Sequence, residues 1–191
     1  MSDADDKRRR LGQSFAEADG LAASLDARLA HYEARSRTIV PDVLAAYDRL
    51  VARLVAGEAG RAGVPRAGDE LPDFVLPDTD GQLVALADLV ATGPAIVSLN
   101  RGHWCPYCRL ELRALARAQP HLGERGARIV SIVPETEKFT ARMSEEHGLP
   151  FQVLTDIDLA YALSLGLVIW IGEEMIAQYS AMGIDLPRFH G

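Results

Sequence analysis

Apolar residues recur at helical spacing through the first sixty positions of the chain, with charged residues between them. Residues 38–41 interrupt this spacing, and a second apolar stripe then runs through residues 42–56. The pattern predicts an antiparallel pair of helices, whose apolar stripes must pack on the following domain or on a second subunit. The first stripe consists of Phe15, Leu21, Leu25, Leu29 and Tyr32, and the second of Val43, Leu44, Tyr47, Leu50, Val51 and Leu54.

A glycine-rich segment at 57–68 separates these helices from the rest of the chain. It contains Gly60, Gly63 and Pro65, residue types that break helices and are typical of linkers. We therefore predict two regions. Residues 1–67 form an N-terminal helical extension with its linker, and residues 68–191 form a second, separate domain.

Beyond the linker, short apolar runs alternate with helical patterns. Runs at 74–76 and 83–85 flank a segment that ends in Asp80-Gly81, which predicts a β-hairpin. Strands that alternate with helices build βαβ units around a parallel sheet, so the predicted fold class is α/β. The predicted strands are 95–100, 127–133 and 151–154, and the predicted helices are 86–90, 105–119, 135–147 and 157–165.

Composition and charge exclude several classes of function. The chain has 191 residues, of which 48% are hydrophobic and 25% are charged, as expected of a globular chain with a real core. Its net charge of -7 argues against nucleic-acid binding, which needs lysine and arginine to neutralise phosphates. Two cysteines are too few for a secreted scaffold held together by disulfides.

The N-terminus carries three consecutive arginines at 8–10, which raises the question of a twin-arginine export signal. No apolar segment follows them, so we expect no signal peptide. The longest uncharged apolar stretch, residues 159–172, is too short to span a bilayer. We therefore expect a cytoplasmic protein without a membrane partner.

Cys105 and Cys108 are the only two cysteines of the chain, and two residues separate them. They lie where the predicted strand 95–100 passes into the predicted helix 105–119. A Cys-x-x-Cys pair at such a junction indicates a thioredoxin-like redox site. The alternative is a pair of reduced, buried cysteines that pack as small apolar side chains.

The residue after the first cysteine assigns the two thiols different roles. Pro106 is favoured at the first position of a helix, so Cys105 is predicted to be the cap residue. Its sulfur then lies near unpaired N–H groups and the positive end of the helix dipole, which lowers a thiol pKa. We predict that Cys105 is exposed and nucleophilic, and that Cys108, one turn later, is less exposed and resolves the intermediate.

The neighbouring side chains fit this chemistry. Arg101 and His103 are candidates for stabilising the thiolate, and Trp104 for shielding the disulfide and contacting substrate. The alternatives are ordinary loop residues for the first two and a core aromatic for Trp104. Three arginines at four-residue spacing on the helix favour a solvated face over an anion-binding one; they are Arg109, Arg113 and Arg117.

Metal binding is not expected. His103, Cys105 and Cys108 supply at most three crowded ligands, and no second Cys or His pair stands at zinc-finger spacing. The remaining histidines are scattered, and no glycine-rich phosphate loop is present. We predict no metal and no cofactor.

The residues around the cysteines resemble a known signature. The segment 101–108, Arg-Gly-His-Trp-Cys-Pro-Tyr-Cys, is close to the R-G-x-W-C-P-Y-C motif of a peroxiredoxin-like branch of the alkyl hydroperoxide reductase/thiol-specific antioxidant family, within the thioredoxin superfamily. Segments 68–81, 126–134 and 153–156 continue the resemblance, which covers about two thirds of the chain. The helical extension is also similar to one that such proteins carry.

The resemblance implies a thioredoxin-like (peroxiredoxin-like) fold and thiol-based redox activity, with Cys105 at the nucleophilic position. We assign substrate-binding or thiolate-stabilising roles to the residues around the two thiols, namely Arg101, Gly102, His103, Trp104, Pro106 and Tyr107. The chain ends shortly after residue 186, so we expect the domain to lack the usual C-terminal strand pair and helix. The sheet would then keep an open edge, and one wall of the substrate site would be absent.

Two positions depart from the peroxiredoxin pattern. Peroxiredoxins place proline seven residues before the peroxidatic cysteine and threonine or serine three before it, whereas this chain has Ser98 and Gly102. The Cys-Pro-Tyr-Cys sequence is the dithiol of glutaredoxins. The missing hydroxyl at Gly102 and the Cys-Pro-Tyr-Cys sequence each favour disulfide exchange over peroxide reduction.

The expected function is that of a thiol-dependent antioxidant oxidoreductase. It cycles Cys105 and Cys108 between dithiol and redox-active disulfide and reduces peroxides or protein disulfides. The expected partners are that substrate, a thioredoxin-like or small-thiol reductant, and a second copy bound through the N-terminal helices. The alternative is a non-catalytic thioredoxin-like module for binding or dimerisation.

Overall fold

The computed structural model of the chain describes residues 3–57 and 64–190. Within those residues the chain forms helices and five short strands. The helices are α1 (Asp3–Gly20), α2 (Leu25–Ile39), α3 (Pro41–Gly57), α4 (Leu86–Val90), α5 (Pro106–Gly123), α6 (Glu137–His147), α7 (Ala160–Ser164), α8 (Gly172–Ala181) and α9 (Leu186–His190). The strands are β1 (Val75–Pro77), β2 (Leu83–Ala85), β3 (Ala95–Leu99), β4 (Arg128–Val133) and β5 (Gln152–Thr155).

These elements form two compact units. The first contains α1, α2 and α3 together with Ile169–Asp185, which carries α8. The second contains all five strands, the helices α4 to α7, and α9. The predicted division of the chain into 1–67 and 68–191 stays a prediction.

The first unit has three N-terminal helices instead of the predicted two. The stretch predicted as one helix breaks after Gly20, and α2 begins anew at Leu25. Ser24 caps α2, since its side-chain oxygen accepts a hydrogen bond from the N–H of Ala27 at 3.3 Å. Because a serine cap favours the start of a new helix at this point, the predicted pair of helices is wrong and the region has three.

The apolar stripe of α3 is partly covered inside this unit. Ala46 and Leu50 of α3 form a buried cluster with Met175 of α8. Arg49 and Glu174 form an ion pair at 2.5 Å between the same two helices. Val51 of this stripe stays 40% exposed, and Val55, which follows the stripe on the same helix, is 64% exposed.

The second unit is built on two small sheets. The hairpin pairs β1 with β2 antiparallel, as predicted, and β3, β4 and β5 form a parallel sheet in that order. Leu99 at the end of β3 pairs with Ile132 near the end of β4. Because parallel strands end at the same edge of a sheet, the segments that follow β3 and β4 leave it side by side.

Both faces of the parallel sheet are covered by apolar side chains, as parallel sheets require. On one face, Val130 and Ile132 pack with Phe74 of the hairpin region and Tyr161 of α7. The other face carries a second buried cluster, Leu112, Val133, Met143 and Val153, which joins the sheet to α5 and α6. The expected mixed α/β architecture with a helical N-terminal region is confirmed.

The segment after β5 contains helices that the hydrophobic pattern did not predict. It forms α8 and the short α9, and among residues 64–190 the strand β3 pairs with β4 alone. No helix in the described part of the chain has the length and apolar composition that crossing a membrane requires.

Candidate active site

The two cysteines lie at the start of α5, which follows β3 after a short loop. Cys105 is the cap residue, with extended backbone angles of φ -86° and ψ 110°, and Pro106 is the first residue of the helix. The Cys105 sulfur accepts a hydrogen bond from the N–H of Cys108 at 3.3 Å. The predicted cap geometry is confirmed, and the helix N-terminus supplies a fixed donor to the first sulfur.

Arg101 reaches both sulfurs. Its guanidinium Nη2 donates to the Cys105 sulfur at 3.0 Å, and its backbone N–H donates to the Cys108 sulfur at 3.4 Å. The guanidinium also lies over the Trp104 ring, 5.4 Å from the ring centroid. The structure therefore brings Arg101 and Trp104 together beside the thiols.

These contacts separate the acidities of the two thiols. Burial raises the pKa of Cys105, but the hydrogen bonds from Cys108 and the positive charge of Arg101 outweigh it and lower that pKa to about 6. Cys108 donates its thiol hydrogen to Cys105 and is itself buried, so its pKa lies far above the ordinary value. These opposite shifts make Cys105 the more acidic thiol of the pair and the one that forms a thiolate more readily.

The predicted order of exposure is wrong. Both cysteines are reduced and buried, and Cys105 is 0% exposed while Cys108 is 8% exposed. The reason is the loop before α5, which places the Arg101 guanidinium on the sulfur of Cys105 and stacks it on Trp104. The contact with Arg101, which lowers the pKa of Cys105, thus also covers its sulfur.

His103 is bound to a carboxylate that the hydrophobic pattern did not single out. Its backbone N–H donates to Oε2 of Glu135 at 2.7 Å, and its ring Nδ1 lies 2.7 Å from Oε1 of the same side chain. The ring stacks on Phe139 at 4.8 Å and meets Phe189 of α9 edge-on at 4.7 Å. Glu135 is 0% exposed.

Gly102 lies directly against that carboxylate. Its φ of 132° is a conformation that residues with side chains rarely adopt. A Cβ atom built on Gly102 would lie 2.5 Å from the Glu135 carboxyl carbon and 2.9 Å from the Trp104 ring nitrogen. The site therefore has no room at this position for a hydroxyl-bearing side chain.

The remaining predicted residues lie on the first turns of α5. Pro106 and Tyr107 are half-buried beside the two cysteines. Arg109 donates from Nε to Nε2 of His147 at 3.0 Å, which links α5 to the end of α6. Of the three spaced arginines, Arg117 is exposed and the other two are half-buried.

A buried polar chain lies behind α5 and was also missed. Ser98 of β3 donates to Oε1 of Glu111 on α5 at 2.7 Å. The Asn100 side-chain amide donates to the hydroxyl oxygens of Ser98 at 2.8 Å and Ser131 at 3.0 Å. Ser98, noted above as a departure from the peroxiredoxin pattern, thus joins the sheet to the helix that carries the cysteines.

Glu135 was predicted to open a helix, but α6 begins at Glu137 with Thr136 as its cap. Glu135 instead lies in the short segment after β4. The one signal that could have found it is position, since polar residues after neighbouring parallel strands meet at one sheet edge. Among the described residues, no group of three or more His, Cys, Asp and Glu side chains is placed to hold a metal ion.

Comparison with known proteins gives one family match. A model of the AhpC/TSA family matches residues 67–180. This range includes both cysteines, Arg101 and Glu135.

Individual relatives match about half of the chain. The thiol-disulfide oxidoreductase ResA of Bacillus subtilis (strain 168) is 33% identical over 102 residues, which is 52% of this chain and 55% of that protein. ResA of Bacillus anthracis is 33% identical over 91 residues, or 47% of this chain and 51% of that protein. The chain thus spans about half the length of the curated relatives it matches.

A solved structure supports the fold. The crystal structure of peroxidoxin BcpB from Mycobacterium tuberculosis superposes with a TM-score of 0.50 at 25% identity. The superposition covers 52% of this chain and 64% of that one.

Proposed function

The chain belongs to the AhpC/TSA family, and from that premise we propose that it is a thiol-dependent oxidoreductase that cycles Cys105 and Cys108 between dithiol and disulfide. The observation that carries the proposal is the pair of donors on the Cys105 sulfur, the Arg101 guanidinium at 3.0 Å and the Cys108 N–H at 3.3 Å. Both donors favour a thiolate, and the thiolate is the attacking form in thiol chemistry.

In the first step, the Cys105 thiolate attacks one sulfur of a substrate disulfide. A mixed disulfide forms, and the other substrate sulfur leaves as a thiolate that takes a proton from solvent. With a peroxide the same thiolate attacks one oxygen and the O–O bond breaks, so that Cys105 becomes a sulfenic acid. The alkoxide or hydroxide that leaves takes a proton from solvent and becomes an alcohol or water.

In the second step, Cys108 loses its proton and attacks the Cys105 sulfur. This releases the second substrate thiol from the mixed disulfide, or water from the sulfenic acid, and leaves a Cys105–Cys108 disulfide. The substrate has gained two electrons, which a thioredoxin-like or small-thiol reductant returns to the pair. The raised pKa of Cys108 keeps it protonated until Cys105 has reacted.

Disulfides are the favoured substrates within this proposal. A peroxide site gains from a hydroxyl donor near the thiolate, and the Glu135 carboxylate excludes any side chain at Gly102. The relatives named as thiol-disulfide oxidoreductases support the same preference.

Turnover of purified protein with insulin and with hydrogen peroxide, in the presence of a dithiol reductant, tests the proposal. We expect insulin reduction, its loss in Cys105→Ser, and a trapped mixed disulfide on Cys105 in Cys108→Ser. Peroxide consumption no faster than with free cysteine would restrict the activity to disulfides. Failure with both substrates would overturn the proposed function.

The cellular setting is part of the same proposal. We propose a cytoplasmic location and a homodimer that forms through the N-terminal helices. The exposed Val51 and Val55 on α3 support the homodimer. A mass equal to one chain in light scattering would contradict it.

A non-catalytic thioredoxin-like module is the second candidate, and the complete burial of Cys105 favours it. Such a module needs no reactive thiolate. Alkylation of native Cys105 by iodoacetamide at neutral pH separates the two, because a module with inert cysteines reacts more slowly than free cysteine.

A further inference from the structure

The loop 101–103 contacts one buried carboxylate, Glu135, which belongs to no recognised sequence motif. Glu135 is 0% exposed, and burying a carboxylate costs free energy unless hydrogen bonds compensate it. Both of its oxygens are committed to His103, one to the backbone N–H and one to the ring, at 2.7 Å each. The carboxylate thus holds a single loop residue at two points.

The loop also presses on this carboxylate through Gly102. A Cβ atom on Gly102 would lie 2.5 Å from the Glu135 carboxyl group, so the Gly102 backbone lies directly against the Glu135 side chain. A glycine is needed both for this approach and for its φ of 132°.

The same loop delivers the groups that act on the sulfurs. Arg101 precedes Gly102 and donates to both sulfurs. The carbonyl of Gly102 accepts a hydrogen bond from the N–H of Cys105 at 3.1 Å. Gly102 and His103, the two residues that contact Glu135, therefore lie in the chain between Arg101 and Cys105.

We propose that Glu135 is a positioning residue that holds the loop 101–103 in place through His103 and so keeps the Arg101 guanidinium on the Cys105 sulfur. The aromatic rings of Phe139 and Phe189 complete the support, because they fix the ring of His103 from two further sides. Glu135 touches neither substrate nor sulfur in this role. It acts through the geometry of the loop.

This inference rests on the proposed function only for the choice of Cys105 as the reacting thiol. Its test needs no turnover, because a thiolate is measured directly by its ultraviolet absorbance and by its rate of alkylation with iodoacetamide. Failure of the inference and failure of the proposed function are therefore distinguishable.

The test compares three substitutions at Glu135. Glu135→Ala removes both contacts with His103, and Glu135→Asp keeps the charge but shortens its reach. We expect each to raise the pH midpoint of thiolate formation at Cys105 by about one unit, an approximately tenfold loss of thiolate below the midpoint. Glu135→Gln keeps an oxygen acceptor and the side-chain shape, so it should restore most of the wild-type midpoint.

A matched control and a second readout separate positioning from simple stability. Glu137→Ala changes an exposed glutamate two residues away, and its midpoint should equal that of the wild type. Thermal unfolding is followed in parallel. An unchanged thiolate midpoint in folded Glu135→Ala would overturn the proposal, and if that variant does not fold, an unchanged midpoint in Glu135→Asp would do so.

Discussion

Two segments leave the parallel sheet side by side, one after β3 and one after β4. They differ in whether their functional residues can be recognised in the sequence. The first carries Arg101 and both cysteines, and a short motif is enough to find it. The second carries Glu135 within an ordinary polar stretch, without any motif of its own. In the folded chain the two meet at Gly102 and His103.

Residues with a chemical role and residues that position them differ in how easily they are recognised in a sequence. Reactive groups must have particular chemistry, so their types and spacing are restricted and recognisable. A supporting carboxylate needs only to arrive at the right place, and here that place is set by the pairing of Leu99 with Ile132. Its importance becomes visible only once the strand register is known.

The largest expected effect comes from pushing the two segments apart. Gly102→Ala places a methyl group 2.5 Å from the Glu135 carboxyl group and forces a side chain into a φ of 132°. We expect a loss of about 3 kcal/mol in the free energy of unfolding, since overpacking and backbone strain each cost roughly 1–3 kcal/mol. Denaturant unfolding measures this loss.

Gly68→Ala is the matched control for that substitution. Gly68 also has a positive φ, of 98°, but nothing lies within 4 Å of the added Cβ. It should therefore cost only the backbone strain, about 1 kcal/mol. Equal losses of unfolding free energy in the two variants would mean that Gly102 and Glu135 are not in close contact. If they are, adding Glu135→Ala to Gly102→Ala should recover part of the lost free energy.

Several parts of the fold could be predicted because their local patterns are strong. The hairpin follows from Asp80-Gly81 between apolar runs, and β3 with α5 follows from an apolar strand before Cys105-Pro106. The first predicted helix concealed a break, because a serine cap at Ser24 competes with a continuous apolar stripe. The helices α8 and α9 were not predicted. They follow the long apolar stretch at 159–172, in which apolar residues show no clear period.

The position of the two cysteines at the start of α5 was predictable from the sequence, and their burial was not. Cys105 as the cap residue follows from Pro106, a purely local preference. Its complete burial depends on where the Arg101 side chain folds back, which is a tertiary contact. The position of Phe189 beside His103 is likewise a contact between residues far apart in sequence.

The next largest effect concerns the Arg101 guanidinium on the Cys105 sulfur. Arg101→Met removes the guanidinium that lies 3.0 Å from the Cys105 sulfur. A positive neighbour favours a thiolate, so its loss raises the pKa of Cys105 from about 6 by roughly one unit or more. Alkylation by iodoacetamide rises with pH as the thiolate forms, so its curve should move to higher pH.

Two further variants sharpen the meaning of that shift. Arg101→Lys keeps a positive charge without the planar guanidinium, and its curve should fall between those of the wild type and Arg101→Met. Arg117→Met removes an exposed arginine further along α5 and should leave the curve unchanged. A wild-type curve for Arg101→Met would show that the helix N-terminus alone lowers the pKa of Cys105.

The smallest expected effect concerns the outer support of His103. Phe189 meets His103 at 4.7 Å and Phe139 at 4.9 Å, and its carbonyl accepts a hydrogen bond from the N–H of Thr136. Aromatic contacts are worth about 1 kcal/mol, so Phe189→Ala should loosen α9 and speed hydrogen exchange at the Thr136 amide about fivefold. Arg188→Ala, at an exposed position of the same helix, should leave that exchange rate close to the wild-type value. Because Glu135 still contacts the loop, the pH midpoint of thiolate formation at Cys105 should stay nearly unchanged in Phe189→Ala. A shift as large as that of Glu135→Ala would show that α9, and not the carboxylate, is the main support of the loop.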